Sequence, residues 1–342
     1  MARRRRRHSW EDLPKQELLD LRFCDLGLKL EGTWIEPLIE KVLGELSARG
    51  LDIEPSFWLS DEWFSPDGVV GVALPFYLAH PRLLRLERSE VYEAEGSSRR
   101  DCVRFLRHEV GHALDHAYVL HKRRRWQEVF GRSSLPYPDY YRPNPASRKF
   151  VQHLDGWYAQ SHPYEDFAET FAVWLTPRSR WRQRYEQWPH ALHKLEYVEE
   201  LMGQLASERP RVRARAPVHP LSRMRRTLRQ HYEAKKDHYA VDYPSIYDRD
   251  LLKVFAVESG KGRESASKLL RRNRVAIRRA VARWTGQYQF TLEQVLNEMI
   301  ARAGELRLRV AGPERELVTD FTILLTVKTM DHLYRERHWI PA

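Results

Sequence analysis

The sequence predicts an α+β domain followed by a mostly helical, basic C-terminal region. Three observations predict it. Two short stretches rich in β-formers lie in the first quarter of the chain, helical periodicity dominates the rest, and the charge is unevenly divided. The 342 residues are 42% hydrophobic and include 11 Trp, 16 Tyr and 12 Phe, which suits a chain with a sizeable core and excludes a disordered one. The net charge is +11, yet residues 211–342 carry 27 Lys and Arg against 15 Asp and Glu, while residues 1–210 carry 31 against 32. We therefore expect three parts: a basic disordered arm over 1–20, an α+β domain over 21–208, and a basic helical domain over 209–342. The stretch RPRVRARAPVHP at 209–220 reads as the linker.

The opening Met1-Ala2-Arg3-Arg4-Arg5-Arg6-Arg7 is like the basic start of a signal peptide. No apolar segment follows, because residues 8–20 contain Glu11, Asp12, Lys15, Glu17 and Asp20. No run of about 18 apolar residues exists, so no membrane span is expected. Cys24 and Cys102 are the only cysteines, which points to a reducing, cytoplasmic setting.

Residues 34–49 predict a helix, with Ile35, Leu38, Ile39, Val42, Leu43 and Leu46 on one face and Gly50 as its stop. Residues 51–59 and 68–78 predict strands. The second ends in Pro75-Phe76, which suits an edge strand. Ser98 and Asp101 form a capping box for a helix over 99–121, whose core face is Cys102, Phe105, Leu106, Ala113, Leu114, Ala117 and Leu120. Residues 131–146, with Gly131 and four prolines among Tyr137, Tyr140 and Tyr141, predict a long irregular loop of the kind that covers a site. A helix begins at Pro163 and ends before Pro177, and another covers 181–207. Beyond the linker, helices are expected over 221–236, 263–285, 292–309 and 313–336. Gly286 stops the second, and Thr291 with Gln294 caps the third.

His108-Glu109-Val110-Gly111-His112 is an H-E-x-x-H motif on the predicted helix 99–121. Residues four apart on a helix share a face, so the two imidazoles can share one metal ion. Glu109 is placed to take a proton from a water activated there, and zinc is the usual occupant of such a site. A third ligand is needed. The long form H-E-x-x-H-x-x-G-x-x-H fails, because Asp115 holds the glycine position and Tyr118 the last histidine position. His116 lies about two turns from His108, too far to close the same site, and reads as a surface or outer-shell histidine. The helix from Pro163 offers Glu165 and Glu169 on one face, with Phe167, Phe171 and Trp174 to pack it. Either glutamate could complete the site. Glu165 as ligand, with Glu169 accepting a hydrogen bond from a ligating histidine, is the arrangement that uses both.

H-E-x-G-H followed tens of residues later by Glu165-Asp166-Phe167-Ala168-Glu169-Thr170-Phe171 is similar to the gluzincin metallopeptidases. It most resembles the bacterial group called putative zinc-binding metallopeptidases and, more distantly, the anthrax lethal factor catalytic domain. The stretches PFYLAHP at 75–81 and WYAQSHP at 157–163 also look typical of that group. The resemblance covers roughly residues 50–205. It implies a zincin-like fold, Zn2+ as cofactor, Glu165 as ligand and Glu169 as its outer partner. It also implies a catalytic tyrosine shortly before the ligand glutamate. Tyr158 stands in that place, with Tyr164 as the alternative. The activity implied is zinc-dependent hydrolysis of peptide bonds, with Glu109 as general base and His108, His112 and Glu165 on the metal. An extended peptide substrate would pair with the strand at 69–74 if that strand is an edge.

Residues 263–285 carry Arg263, Arg271, Arg272, Arg274, Arg278, Arg279 and Arg283 beside Leu269, Leu270, Val275, Ile277, Val281 and Trp284. They predict a packed helix with a basic side, able to meet an acidic partner or nucleic acid. The alternative function is therefore a nucleic-acid- or partner-binding protein with an auxiliary or degenerate metal site. No helix-turn-helix, zinc-finger or RNA-binding signature supports it.

Overall fold

Residues 8–138, 140–141, 143–144, 146–239, 247–257, 264–335 and 340–341 are described by a computed structural model. The chain divides into two units, one ending at Ala234 and one beginning at Lys235. The first holds α1 (Lys15–Leu19), α2 (Glu36–Ser47), β1 (Ser56–Ser60), β2 (Gly71–Pro75), α3 (Pro81–Glu90), α4 (Arg99–Tyr118), α5 (Arg124–Phe130), α6 (Pro163–Leu175), α7 (Trp181–Arg184), α8 (Pro189–Leu205) and the start of α9 (Leu228–Tyr239). Small sheet, H-E-x-x-H helix and glutamate helix are all present, as an α+β domain requires.

Residues 8–20 are not a disordered arm. Trp10, Leu18 and Leu19 are buried, the Trp10 indole donates to the Leu26 carbonyl, and Arg229 pairs with Asp20. Three apolar side chains within a charged segment are enough to dock it. The arginine run at 3–7 lies outside the described residues.

The expected boundary at 208/209 also moves. Residues 209–227 lie along the first unit. The Ala214 carbonyl accepts from Val70 N–H, that of Val218 from the Trp58 indole, and that of His219 from the Ser60 hydroxyl. The Met224 and Arg226 carbonyls accept from Cys24 and Phe23. The segment has no periodicity and so reads as a linker, but its backbone supplies acceptors that β1 and the N-terminal residues use.

β1 and β2 are parallel, in a register running from Ser56 opposite Gly71 to Ser60 opposite Pro75. A Cβ on Gly71 would fall 2.5 Å from the Ser56 hydroxyl and from the Trp58 ring, so the strand needs glycine there. β2 is not an open edge along its length. Ala73 N–H donates to the Phe64 carbonyl (2.8 Å) in an isolated antiparallel bridge. The segment carrying Phe64 therefore covers the place where a peptide was expected to pair.

The helices that matter begin at side-chain caps. The Ser98 hydroxyl accepts from Asp101 N–H at the start of α4. At α3 and α6 the same device occurs twice. His80 and His162 cap through Nδ1, accepting from Arg82 and Tyr164 N–H, and Pro81 and Pro163 open the helices. The His80-Pro81 and His162-Pro163 pairs are thus helix starts. α6 is buried from Glu165 to Leu175, with Phe167 and Phe171 fully enclosed. Each such side chain contributes roughly 1.5–3 kcal/mol.

α4 crosses α6 closely at Gly111, where an added Cβ would meet Phe171 Cδ1 at 3.0 Å and Ala168 Cα at 3.2 Å. The second neighbour is backbone and cannot swing aside. This contact sets the separation between the histidines of α4 and the glutamates of α6.

The second unit contains α10 (Asp248–Val254), α11 (Ala266–Thr285), α12 (Gln289–Glu305) and α13 (Glu314–Arg335) around Leu251, Leu270, Ile277, Leu296, Met299 and Phe321. α11 starts at Ser265 and stops at Gly286, whose φ of +74° is the left-handed cap. α12 begins ahead of the expected Thr291 cap, and Thr291 is buried within it. Val275 and Trp284 do not join the core but stand 44% and 70% exposed. No described helix is long and apolar enough to cross a membrane.

Gly111→Val tests the helix crossing. It is expected to destabilise the chain by about 1–3 kcal/mol, the range for overpacking. Denaturant unfolding of both proteins measures this.

Candidate metal centre

Glu109 and both histidines of the motif lie on the buried stretch of α4, and α6 brings Glu165 and Glu169 against them. His108 Nε2 is 2.9 Å from Glu165 Oε2, His112 Nε2 is 3.2 Å from the same oxygen, and the two Nε2 atoms are 3.2 Å apart. Three donor atoms thus converge on one point. Tetrahedral ligands at about 2.0–2.1 Å from zinc lie about 3.3–3.4 Å from one another, so the triangle needs to open by only a few tenths of an ångström. Two imidazoles and a carboxylate fit that ion.

The two glutamates, interchangeable by spacing, are separated by geometry. Glu165 Oε2 faces the Nε2 atoms, whereas Glu169 Oε1 sits on the far side of the His108 ring, 3.0 Å from Nδ1. The other Glu169 oxygen accepts from His153 N–H (2.9 Å) and Leu154 N–H (2.8 Å). Glu169 has no exposed surface and meets His108 on the side of the ring away from the three converging atoms.

Electrostatics follow from this burial. Burial alone would push His108 down. Hydrogen bonds to Glu165 and Glu169 outweigh it and hold the imidazole well above its usual value. His112 is raised too, burial being outweighed by the charge of Glu165. Burial would raise Glu165 and Glu169. The facing imidazoles reverse this, so Glu165 lies well below the usual range and Glu169 is lowered as well. Glu109 differs. Its burial dominates, only partly offset by His108 and His112, and its carboxyl is raised.

The donors open on a cleft of about 510 Å³. Its walls are the 63–67 segment (Trp63, Phe64, Ser65 and Asp67), α4 (His108, Glu109, His112 and His116), the loop after α5 (Ser133, Leu135 and Tyr137), and Tyr158, Tyr164 and Glu165. Tyr158 approaches the His108 ring at 5.7 Å between centroids. Tyr164 packs instead among His121 (5.3 Å), Trp126 (5.9 Å) and His162 (5.2 Å).

His116, expected at the surface or in an outer shell, is buried and lines the cleft. Tyr137 is the residue that sequence reading missed. Its hydroxyl donates to Glu165 Oε1 (2.7 Å) while its ring stacks on His162 (3.9 Å). Its only sequence signal is membership of the proline- and tyrosine-rich loop expected to cover a site.

Residues 85–200 match the family model described as "Putative zinc-binding metallo-peptidase". No curated protein and no solved structure matches the chain. The matched segment contains all of α4 and α6 and supports a peptidase-class hydrolase with zinc as its cofactor.

A proton balance follows. In the metal-free chain His108 holds a proton well above pH 6.5, and a cation taking Nε2 must displace it. Zinc affinity is therefore expected to rise with pH by up to about tenfold per unit while His108 titrates. Calorimetric titrations in buffers of different ionisation enthalpy read the released proton directly. Affinity that does not change between pH 6 and 8 contradicts the balance.

Proposed function

We propose that the chain hydrolyses peptide bonds at this cleft as a gluzincin-type, zincin-like metallopeptidase. His108, His112 and Glu165 hold the metal, and Glu109 is the general base. The observation that carries the reading is the convergence of three donor atoms on the floor of a cleft, with a buried carboxylate next to them in the sequence. Zinc, when bound there, supplies Lewis acidity for the scissile carbonyl and draws the pKa of a water toward about 7.

The remaining roles belong to the chain's own side chains. Glu109 accepts a proton from the attacking water on its carboxylate and passes it to the leaving amine nitrogen. Its burial keeps that carboxylate poorly solvated and therefore basic. Glu169 accepts the His108 Nδ1 proton, which fixes the ring's tautomer and leaves Nε2 for the metal. Tyr137 binds Glu165 Oε1 and so presents Oε2 toward the histidines. Tyr158, in the cleft beside His108, donates to the oxygen on which negative charge develops. An extended substrate lies against the 63–67 segment, which forms the cleft wall next to β2. Cys24 and Cys102 are free thiols, which suits a cytoplasmic setting.

The alternative of nucleic-acid binding with a degenerate metal site has less to stand on. Arg272 pairs with Glu264 and Glu314, and Arg274 and Arg278 both pair with the buried Glu293. Among the described residues, Lys268, Arg271, Arg279 and Arg283 are exposed on this helix, and Arg263 lies outside them.

Glu109→Gln is expected to retain zinc and to lose about 10²–10⁴-fold in kcat on a peptide library. Hydrolysis at the wild-type rate in a clean preparation sinks the assignment. Tyr158→Phe is expected to lower kcat by about 10²–10³-fold with little change in KM, in line with loss of one oxyanion donor. An unchanged kcat removes Tyr158 from the reaction.

A further inference from the structure

We propose that α4 carries a second divalent-cation site, one helical turn beyond His112, in which His116 and His121 are the ligands, Asp115 orients His121 from behind, and Asp67 faces the site from the cleft side. Ligand-capable atoms of Asp115, His116 and His121 lie within 4.8 Å of one another. Asp115 is completely buried, and the His121 side chain is only 15% exposed. Two imidazoles, one of them backed by a buried carboxylate, are the donor chemistry of zinc and its transition-metal neighbours, not of magnesium or calcium.

The arrangement repeats the device of the first site. The Asp115 carboxylate accepts the His121 Nδ1 proton at 2.6 Å, as Glu169 accepts that of His108. This orients the ring and leaves Nε2 as the atom that takes a cation. The chain bends to make the contact. Val119, a β-branched residue, ends α4 at φ +55°, in the left-handed region that costs an L-residue about 1–2 kcal/mol. The turn returns His121 onto Asp115, which also accepts the His121 backbone N–H at 2.8 Å.

A helix-ending clasp would explain Asp115 and His121 alone. It does not explain His116, which is buried in the cleft wall with Nε2 3.6 Å from the Asp67 carboxylate. The Asp67 side chain is 97% exposed, so its carboxylate stays in solvent beside His116. A cation held here borders the cleft, because His116 and Asp67 both line it, and it narrows that end for a substrate. The site uses none of the donors of the first and stands whether or not the first is catalytic.

The probe is zinc alone, followed by equilibrium dialysis and elemental analysis on the full chain. Wild type is expected to bind about two zinc ions, and the double variant His116→Gln/His121→Gln about one, with unchanged far-UV circular dichroism. His108→Gln is expected to keep the ion that the double variant loses, so failure of the first site and failure of the second give different results. Equal stoichiometry in wild type and double variant overturns the proposal. If the double variant does not fold, Asp67→Asn decides, since that side chain lies in solvent. A second equivalent weakened at least about tenfold supports the site, and an unchanged one overturns it.

Discussion

Four ionisable side chains, His108, His112, Glu165 and Glu169, are buried between two helices, and the first unit is organised around keeping them there. Removing one such charge from water costs several kcal/mol unless an opposite charge and hydrogen bonds replace the solvent. Here each charge has its counterpart at 2.9–3.2 Å. The arrangement holds only while α4 and α6 stay in contact, and Gly111 permits that contact by having no side chain. Burial thus has two effects that cannot be separated. It makes an unfilled site expensive, and it makes the imidazoles hold protons that a cation has to displace.

Much of this was legible in the sequence. The i, i+4 spacing of His108 and His112 fixes their common face, Ser98 and Pro163 mark the helix starts, and the apolar periodicity of α4 and α6 identifies the faces that meet. What sequence could not supply were contacts whose partners obey no period. Tyr137 reaches Glu165 from a loop. His153 and Leu154 donate backbone N–H groups that any residue could offer. Phe64 covers β2 through its carbonyl. Which glutamate faces the Nε2 atoms depends on the side of one imidazole that each occupies, and helical spacing leaves that open. The misplaced boundary near 208 has the same cause, since the carbonyls of Ala214, Val218 and His219 do their work irrespective of side chain.

Charge counting overstated the second unit for a related reason. A basic helix read alone shows every arginine as available. Folded, Glu293 of α12 sits buried beside Arg274 and Arg278, and Glu264 and Glu314 pair with Arg272 at the surface. The two pairs with Glu293 satisfy a carboxylate that would be costly to bury alone and hold α11 to α12. Val275 and Trp284 were misassigned in the opposite sense: apolar by type, they stand on the exposed side of α11.

The separation of 53 residues between His112 and Glu165 looks like an inconvenience for a site needing both. Closing a long loop costs little more than closing a short one, because the entropy grows only with the logarithm of length. What the excursion returns is more specific. Tyr137 comes back to one oxygen of Glu165, residues 153–154 to one oxygen of Glu169, and Tyr158 to the ring of His108. His162, stacked under Tyr137, then opens the helix that carries both glutamates. The loop is therefore not only a cover laid over a finished site. It supplies the donors that orient the carboxylates, so the two helices position the imidazoles and carboxylates and the chain between them fixes how the carboxylates point.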